Sequence, residues 1–306
     1  MANSLIELRG VYKHFGPLTA VTGVDLQVEE GELFGLIGHN GAGKTTLFKM
    51  MLGLLPVSAG EIRIGGHAVR GEAFRQVRRS IGYLPESLAL YDNLTGLETL
   101  HFFARLKGTD PTACTGLLDL MGLAGAAGQR VRNYSKGMRQ RLGFAQALLG
   151  SPRLLFLDEP TNGLDPHGIL EFYQILRDLR RGGVTVVLTS HILAEIQQRV
   201  DRLALMRNGG IQALGTVQSL REAQDLPLTL RVSFRTGAEA DLRRCLAGQG
   251  VTVIAIDGDI ARLECERGRK MVLLAALTGL GAMISDIEVH EPTLEDVFLG
   301  YAEHVS

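Results

Sequence analysis

Apolar residues fall into two rhythms along this chain. Short runs, either alternating or wholly apolar, predict strands over 5–9, 24–28, 33–37, 61–64, 154–157 and 184–188. The last two carry no charge and, apart from Thr185, are wholly apolar, as parallel strands covered on both faces are. Elsewhere the period is helical. A helix is predicted over 44–55, opened by a glycine-rich turn and closed by Pro56. From 88 to 149 the period stays helical, broken at Gly108-Thr109-Asp110-Pro111 and around 122–128. Strand–helix alternation around a helical insert of about 88–150 predicts an α/β domain over 1–215.

Beyond Gly215 the texture changes. Strands are predicted over 228–234, 251–256, 260–264 and 284–289, and helices over 238–247, 268–280 and 293–301. Asp257-Gly258-Asp259 between two strands is a strong hairpin signal. The order β-α-β-β-α-β with a closing helix predicts a small ferredoxin-like α+β domain over 216–306. It reads as an accessory domain, either for dimerisation or for sensing a ligand.

Composition narrows the class. A chain of 306 residues suits one large and one small domain. The net charge of -1 supplies no basic field for nucleic acid. Cys114, Cys245 and Cys265 lie far apart with no CxxC pair, so they read as reduced thiols of a cytosolic chain. Residues 1–8 show no signal-peptide pattern. No run reaches the roughly 18 apolar residues of a membrane span. If this protein works at a membrane, it docks there on other chains.

Two motifs carry chemistry. Gly38-His39-Asn40-Gly41-Ala42-Gly43-Lys44-Thr45 matches G-x-x-x-x-G-K-[ST] between a predicted strand and a predicted helix, with Thr46 next. Glycines permit the turn and the close approach, exposed N–H groups and the helix end attract phosphate, Lys44 adds a cation, and Thr45 offers a hydroxyl to Mg²⁺. Downstream, the apolar strand 154–157 ends in Asp158 and Glu159. Asp158 is placed for the Mg²⁺ shell and Glu159 for polarising an attacking water. These motifs alone predict a P-loop NTPase.

Further motifs add a resemblance. Tyr134-Ser135-Lys136-Gly137-Met138-Arg139-Gln140-Arg141 resembles the ABC signature, Asn162-Gly163-Leu164-Asp165 the D-loop, and Thr189-Ser190-His191 the switch histidine. Val11-Tyr12-Lys13-His14-Phe15-Gly16 resembles the adenine-stacking A-loop, with Phe15 under the base. Together they resemble the ABC transporter ATPases over about 4–215. The pattern departs from the family at Glu86, where most members carry glutamine, and at Lys136 and Met138 in the signature. Those departures look like the branch that serves ABC-2 type exporters. Residues 101–108, 133–150 and 286–297 are similar to the ATPases of copper-processing transporters that help mature bacterial nitrous oxide reductase.

The resemblance implies a homodimer that holds ATP and Mg²⁺. Phe15, residues 38–46 and the opposite copy's Ser135, Lys136, Gly137 and Asp165 would bind nucleotide. Thr45, Glu86 and Asp158 would serve the metal, and Glu159 and His191 catalysis. It also implies integral membrane permease subunits as partners, a periplasmic partner reached through them, and a peripheral position on the cytoplasmic face of the inner membrane. A soluble ABC ATPase acting on nucleic acid is the competing reading. The long coiled-coil insertion, zinc motif or second cassette usual in such proteins is not visible here.

Overall fold

The computed structural model describes residues 4–223 and 227–291. The chain forms two compact units, Met1–Leu214 and Gly215–Ser306. The first opens with β1 (Ser4–Phe15) and β2 (Leu18–Glu29), an antiparallel hairpin. β3 (Leu33–Ile37) leads into α1 (Lys44–Met51), followed by β4 (Ala59–Ile64), β5 (His67–Ala68), α2 (Gly71–Arg79) and β6 (Ile81–Leu84). Three helices come next: α3 (Gly96–Lys107), α4 (Ala113–Leu120) and α5 (Lys136–Leu148). β7 (Leu154–Leu157), α6 (Pro166–Arg181), β8 (Thr185–Ser190), α7 (Leu193–Ile196), β9 (Arg202–Arg207) and β10 (Gly210–Gly215) complete it.

Two sheets result. One has the order β2-β1-β4-β5, the other β10-β9-β3-β8-β7-β6. In the second, β3 pairs in parallel with β8 and β9, and β7 with β6 and β8. Every residue of β3, β7 and β8 is buried, including the polar Thr185, Thr189 and Ser190 of β8. One buried cluster joins Ile6 and Leu26 of the first sheet to Phe34 and Phe156 of the second, with Phe48 of α1 edge-on to Phe156 at 5.3 Å. The carboxyl ends of β3, β7 and β8 therefore share one edge, where open α/β sheets bind ligands.

Several elements differ from the sequence reading. β1 and β2 each run for 12 residues, because alternate burial continues past the short predicted cores. α1 ends at Met51, not at 55: Gly53 takes φ 66 and the N–H groups of Leu54 and Leu55 both turn back to the Lys49 carbonyl. Residues 88–95 are not helical. α3 starts at Gly96 because Thr95 and Glu98 form a reciprocal capping box. Its two bonds are Glu98 N–H to Thr95 Oγ1 at 3.2 Å and Thr95 N–H to Glu98 Oε2 at 2.8 Å. α2 lies outside the predicted elements because it buries only Phe74 and so presents no apolar stripe.

The second unit contains α8 (Val217–Ala223), β11 (Leu228–Phe234), α9 (Glu239–Leu246), β12 (Val251–Asp257), β13 (Ile260–Cys265), α10 (Lys270–Thr278) and β14 (Ile284–His290). The four strands order as β12-β13-β11-β14, with antiparallel neighbours throughout. The hairpin at Gly258-Asp259 is present, with Asp257 paired to Ile260. Leu230 and Val232 of β11 share a core with Leu242 and Leu246 of α9 and Leu273 and Leu277 of α10. The helix predicted over 293–301 lies outside the described residues. Cys114 and Cys265 are buried, and that burial pushes both thiols up, away from the reactive thiolate.

The capping box gives a test of local stability. Thr95→Ala should destabilise the first unit by about 1 kcal/mol, and adding Glu98→Ala should cost more, because the Glu98 carboxylate still accepts from the residue 95 N–H; both are read as shifts in its denaturant midpoint.

Candidate active site

The phosphate loop is shaped by what surrounds it. Gly43 sits at φ 103, and a Cβ there would lie 2.6 Å from the Ala20 carbonyl oxygen. A Cβ on Gly38 would collide with the backbone carbonyl of Met206. The loop is thus pressed against its neighbours on both sides, and only glycine fits. Lys44, 6% exposed, turns back over the loop. Its Nζ donates to the Gly38 carbonyl at 2.5 Å and the His39 carbonyl at 3.3 Å, and lies 3.5 Å from Glu159 Oε1.

Strand β7 delivers the two acids to different environments. Asp158 is 1% exposed. Its Oδ1 accepts from the Thr189 hydroxyl at 2.7 Å and from the Thr45 hydroxyl at 3.5 Å. Burial raises its pKa, against the lowering effect of those two hydroxyls, and the Glu159 charge adds to the rise. Asp158 Oδ2 is buried with no hydrogen-bond partner among the described residues. A sealed carboxylate oxygen beside a threonine hydroxyl is a hard-oxygen donor set, and Mg²⁺ is a cation that fits it. Tyr83 lies near the same charges. Its phenol is pushed up to about 12 by burial first, then by Asp158 and Glu86.

Glu159 departs from the strand at φ 48, a left-handed conformation uncommon for a residue other than glycine. Its N–H donates to Thr189 Oγ1 at 2.8 Å. Its Oε2 lies 2.7 Å from His191 Nδ1, and its Oε1 faces Lys44. Thr189 therefore accepts from one acidic residue and donates to the other, locking both to the end of β8. Backbone strain at a site held from several sides is stored where the surrounding structure over-determines it.

These elements surround a cavity of about 840 Å³. Of the residues singled out from the sequence, Phe15, His39, Asn40, Gly41, Ala42, Gly43, Lys44, Thr45, Thr46, Glu86, Glu159 and His191 line it. Gly38 and Asp158 stand behind its wall, bonded to Lys44 and Thr45. Phe15 is 46% exposed, with Lys13 Nζ 5.1 Å from its ring centroid, so it is not a core residue. The structure adds Leu18, Thr19, Ala20, Asn208 and Gly209 to the lining, which no motif marked, and Asn162, which stood in the D-loop motif without a site role.

Ser135, Lys136, Gly137 and Asp165 do not line this cavity. Ser135 caps α5 by accepting from Met138 N–H at 3.2 Å. Asp165 caps α6 by accepting from Gly168 N–H at 3.0 Å. The two caps are neighbours: a Cβ on Gly137 would be 3.2 Å from the Gly163 carbonyl, and the Lys136 stem lies over Gly163. A second, more apolar cavity of about 600 Å³ lies between α4, α5 and α6, away from the phosphate loop.

The family model described as ABC transporter matches residues 21–162. A daunorubicin resistance ATP-binding protein of Streptomyces coeruleorubidus is 38% identical over 98% of this chain and 96% of its own length. This chain belongs to the ABC transporter ATPases. A linearmycin resistance ATP-binding protein of Bacillus subtilis (strain 168) is 33% identical over 96% of this ABC ATPase and 97% of its own length. Among solved structures, an ATP-binding subunit of an ABC transporter superposes with a TM-score of 0.66 at 30% identity, covering 72% of this chain and 93% of that one. A dimeric bacterial ABC transporter cassette shares the fold, with a TM-score of 0.65 at 24% identity over 69% of this chain and 98% of its own. As an ABC ATPase the protein binds ATP and hydrolyses it. Among the described residues, no helix is long and apolar enough to cross a membrane.

Thr189 carries a prediction that no motif makes. Thr189→Val should lower ATP turnover by roughly 10-fold or more, since it frees both acids at once, yet leave ATP binding near that of the parent. Steady-state phosphate release beside a fluorescent-nucleotide titration reads the two separately.

Proposed function

We propose that this ABC ATPase is the motor subunit of an ABC-2 type exporter, acting as a homodimer beneath membrane permease subunits. The observation that carries the reading is the convergence of Lys44, Asp158, Glu159 and His191 at the carboxyl ends of β3, β7 and β8. Phe15 offers its exposed face to adenine, a contact worth ~1–3 kcal/mol. The loop N–H groups and Lys44 hold the β- and γ-phosphates. Thr45, Asp158 and Glu86 would hold Mg²⁺, which offsets phosphate charge when bound. Glu159 orients the attacking water and takes its proton, with His191 holding the carboxylate at Oε2. Arriving phosphate competes with Glu159 for Lys44, which frees Glu159 Oε1 for that water.

Ser135, Lys136, Gly137 and Asp165 lie outside the chain's own cavity, which supports their facing the nucleotide of the opposite copy in a C2 dimer. ATP would then close the dimer and hydrolysis reopen it, the differential affinity driving the membrane partner. We read Met1–Leu214 as the nucleotide-binding domain and the second unit as a ferredoxin-like accessory domain. Its strand order β12-β13-β11-β14 and its β-α-β-β-α-β connectivity support that reading. The protein would sit peripherally on the cytoplasmic face of the inner membrane.

For cargo, the relatives named for daunorubicin and linearmycin resistance favour a drug-like molecule. The alternative is copper- or sulfur-related cargo for nitrous oxide reductase assembly, with a periplasmic partner. It rests on the similarity over 101–108, 133–150 and 286–297, part of which lies outside the described residues. Neither resistance relative points to it.

Glu159→Gln should retain ATP binding and lose turnover by at least about 100-fold; turnover at the parental rate would remove Glu159 from the role given it. Phe15→Ala should weaken ATP binding by roughly 10-fold. Gentle membrane solubilisation with tagged Glu159→Gln, ATP and Mg²⁺ should bring down a multi-span membrane protein in equal amount. Recovery of a purely soluble dimer, or of one carrying nucleic acid, would overturn the transport reading.

A further inference from the structure

We propose that Glu195 is a positioning residue for ATP hydrolysis, tying the segment that carries His191 to the loop after Glu159 and to helix α6. This rests on the roles given above to Glu159 and His191.

The segment after β8 needs an anchor. His191 is followed by α7, a helix of four residues with no side-chain cap. A helix that short has no stability of its own and takes its place from tertiary contacts. Ile196 supplies an apolar one, fully buried. Glu195 supplies the polar one. Its Oε2 accepts from the Thr161 hydroxyl at 3.3 Å. Thr161 is buried and stands two residues beyond Glu159, in the turn where the Glu159 carbonyl accepts from Asn162 N–H at 3.2 Å.

The same carboxylate faces a second element. Tyr173 of α6 is 2% exposed, and its phenol is held above its ordinary range, first by burial and then by the Glu195 charge. The Arg199 guanidinium lies 4.4 Å from the Tyr173 ring centroid. Asp165 is the N-cap of α6, so Tyr173 connects Glu195 to the helix that Asp165 caps. Glu195 Oε1 is sealed from solvent with no hydrogen-bond partner among the described residues. A half-satisfied buried carboxylate is a stability cost, and such groups persist where their placement does something packing alone does not. Here the placement sets the distance between His191 and Glu159, which are carried on different strands.

The test is kinetic, on the full chain. Glu195→Ala should lower kcat for ATP hydrolysis roughly 10- to 100-fold, with KM for ATP and nucleotide affinity near the parental values. Glu195→Gln, whose amide oxygen can still accept from Thr161 and Tyr173, should recover most of that loss. Thr161→Val should move kcat in the same direction. Combined with Glu195→Ala it should add little, because the two act through one bond. Thr161→Val also keeps the test standing if Glu195→Ala does not fold. Parental kcat in Glu195→Ala, no rescue by Glu195→Gln, or joint loss of kcat and ATP affinity would each overturn the inference. His191→Ala is the control on its footing. Parental turnover in that variant would sink the role of His191, whereas a slow His191→Ala beside a normal Glu195→Ala would sink only the role of Glu195.

Discussion

Asp158 is a carboxylate at the end of a fully buried strand, almost without solvent and with one oxygen unpartnered by any described residue. Putting it there is costly, and the surrounding groups are what make it tolerable. The Thr189 and Thr45 hydroxyls satisfy the other oxygen. Those hydroxyls come from the ends of β8 and the start of α1, so satisfying one acid brings three separate segments to a common point. The parallel sheet places β3 beside β8 beside β7, so these segments can meet there.

From that point the chemistry divides by backbone geometry. Asp158 continues the strand and stays inside. Glu159 turns at φ 48 and reaches Lys44 and His191 in the cavity. Two adjacent acids thus acquire different environments, one suited to a cation and one to a water molecule. Glycines at 38 and 43 allow the phosphate loop to approach β9 and β2 without a Cβ in the way. The site is rigid because it sits on strand ends. The short helix α7 beside it is held by Glu195 and Ile196.

Signature and D-loop residues show a different economy. Ser135 and Asp165 each serve as a helix cap within their own chain while standing outside its cavity. A capping side chain orients the first turn of its helix, and the positive end of that turn is where an anion is attracted. The same bond therefore stabilises the helix and fixes the direction of its positive end.

Local pattern alone determined much of this protein. The glycine spacing before Lys44, the apolar run ending in Asp158-Glu159, and the hairpin at Gly258 are short-range features whose backbone demands few other sequences meet. They made the phosphate loop, the acidic strand end and the four-strand, two-helix order of the second unit legible before any coordinates. What escaped was either without an apolar stripe, hidden inside a longer rhythm, or set by contacts distant in sequence. Helix α2 has almost no buried face, so hydrophobic period could not find it. The start of α3 was set by a capping box that an extended helical rhythm concealed. Thr189 entered a motif only as a neighbour of His191, and Glu195 entered none. Their importance comes from partners 31 and 34 residues away, which only folding brings within hydrogen-bond reach.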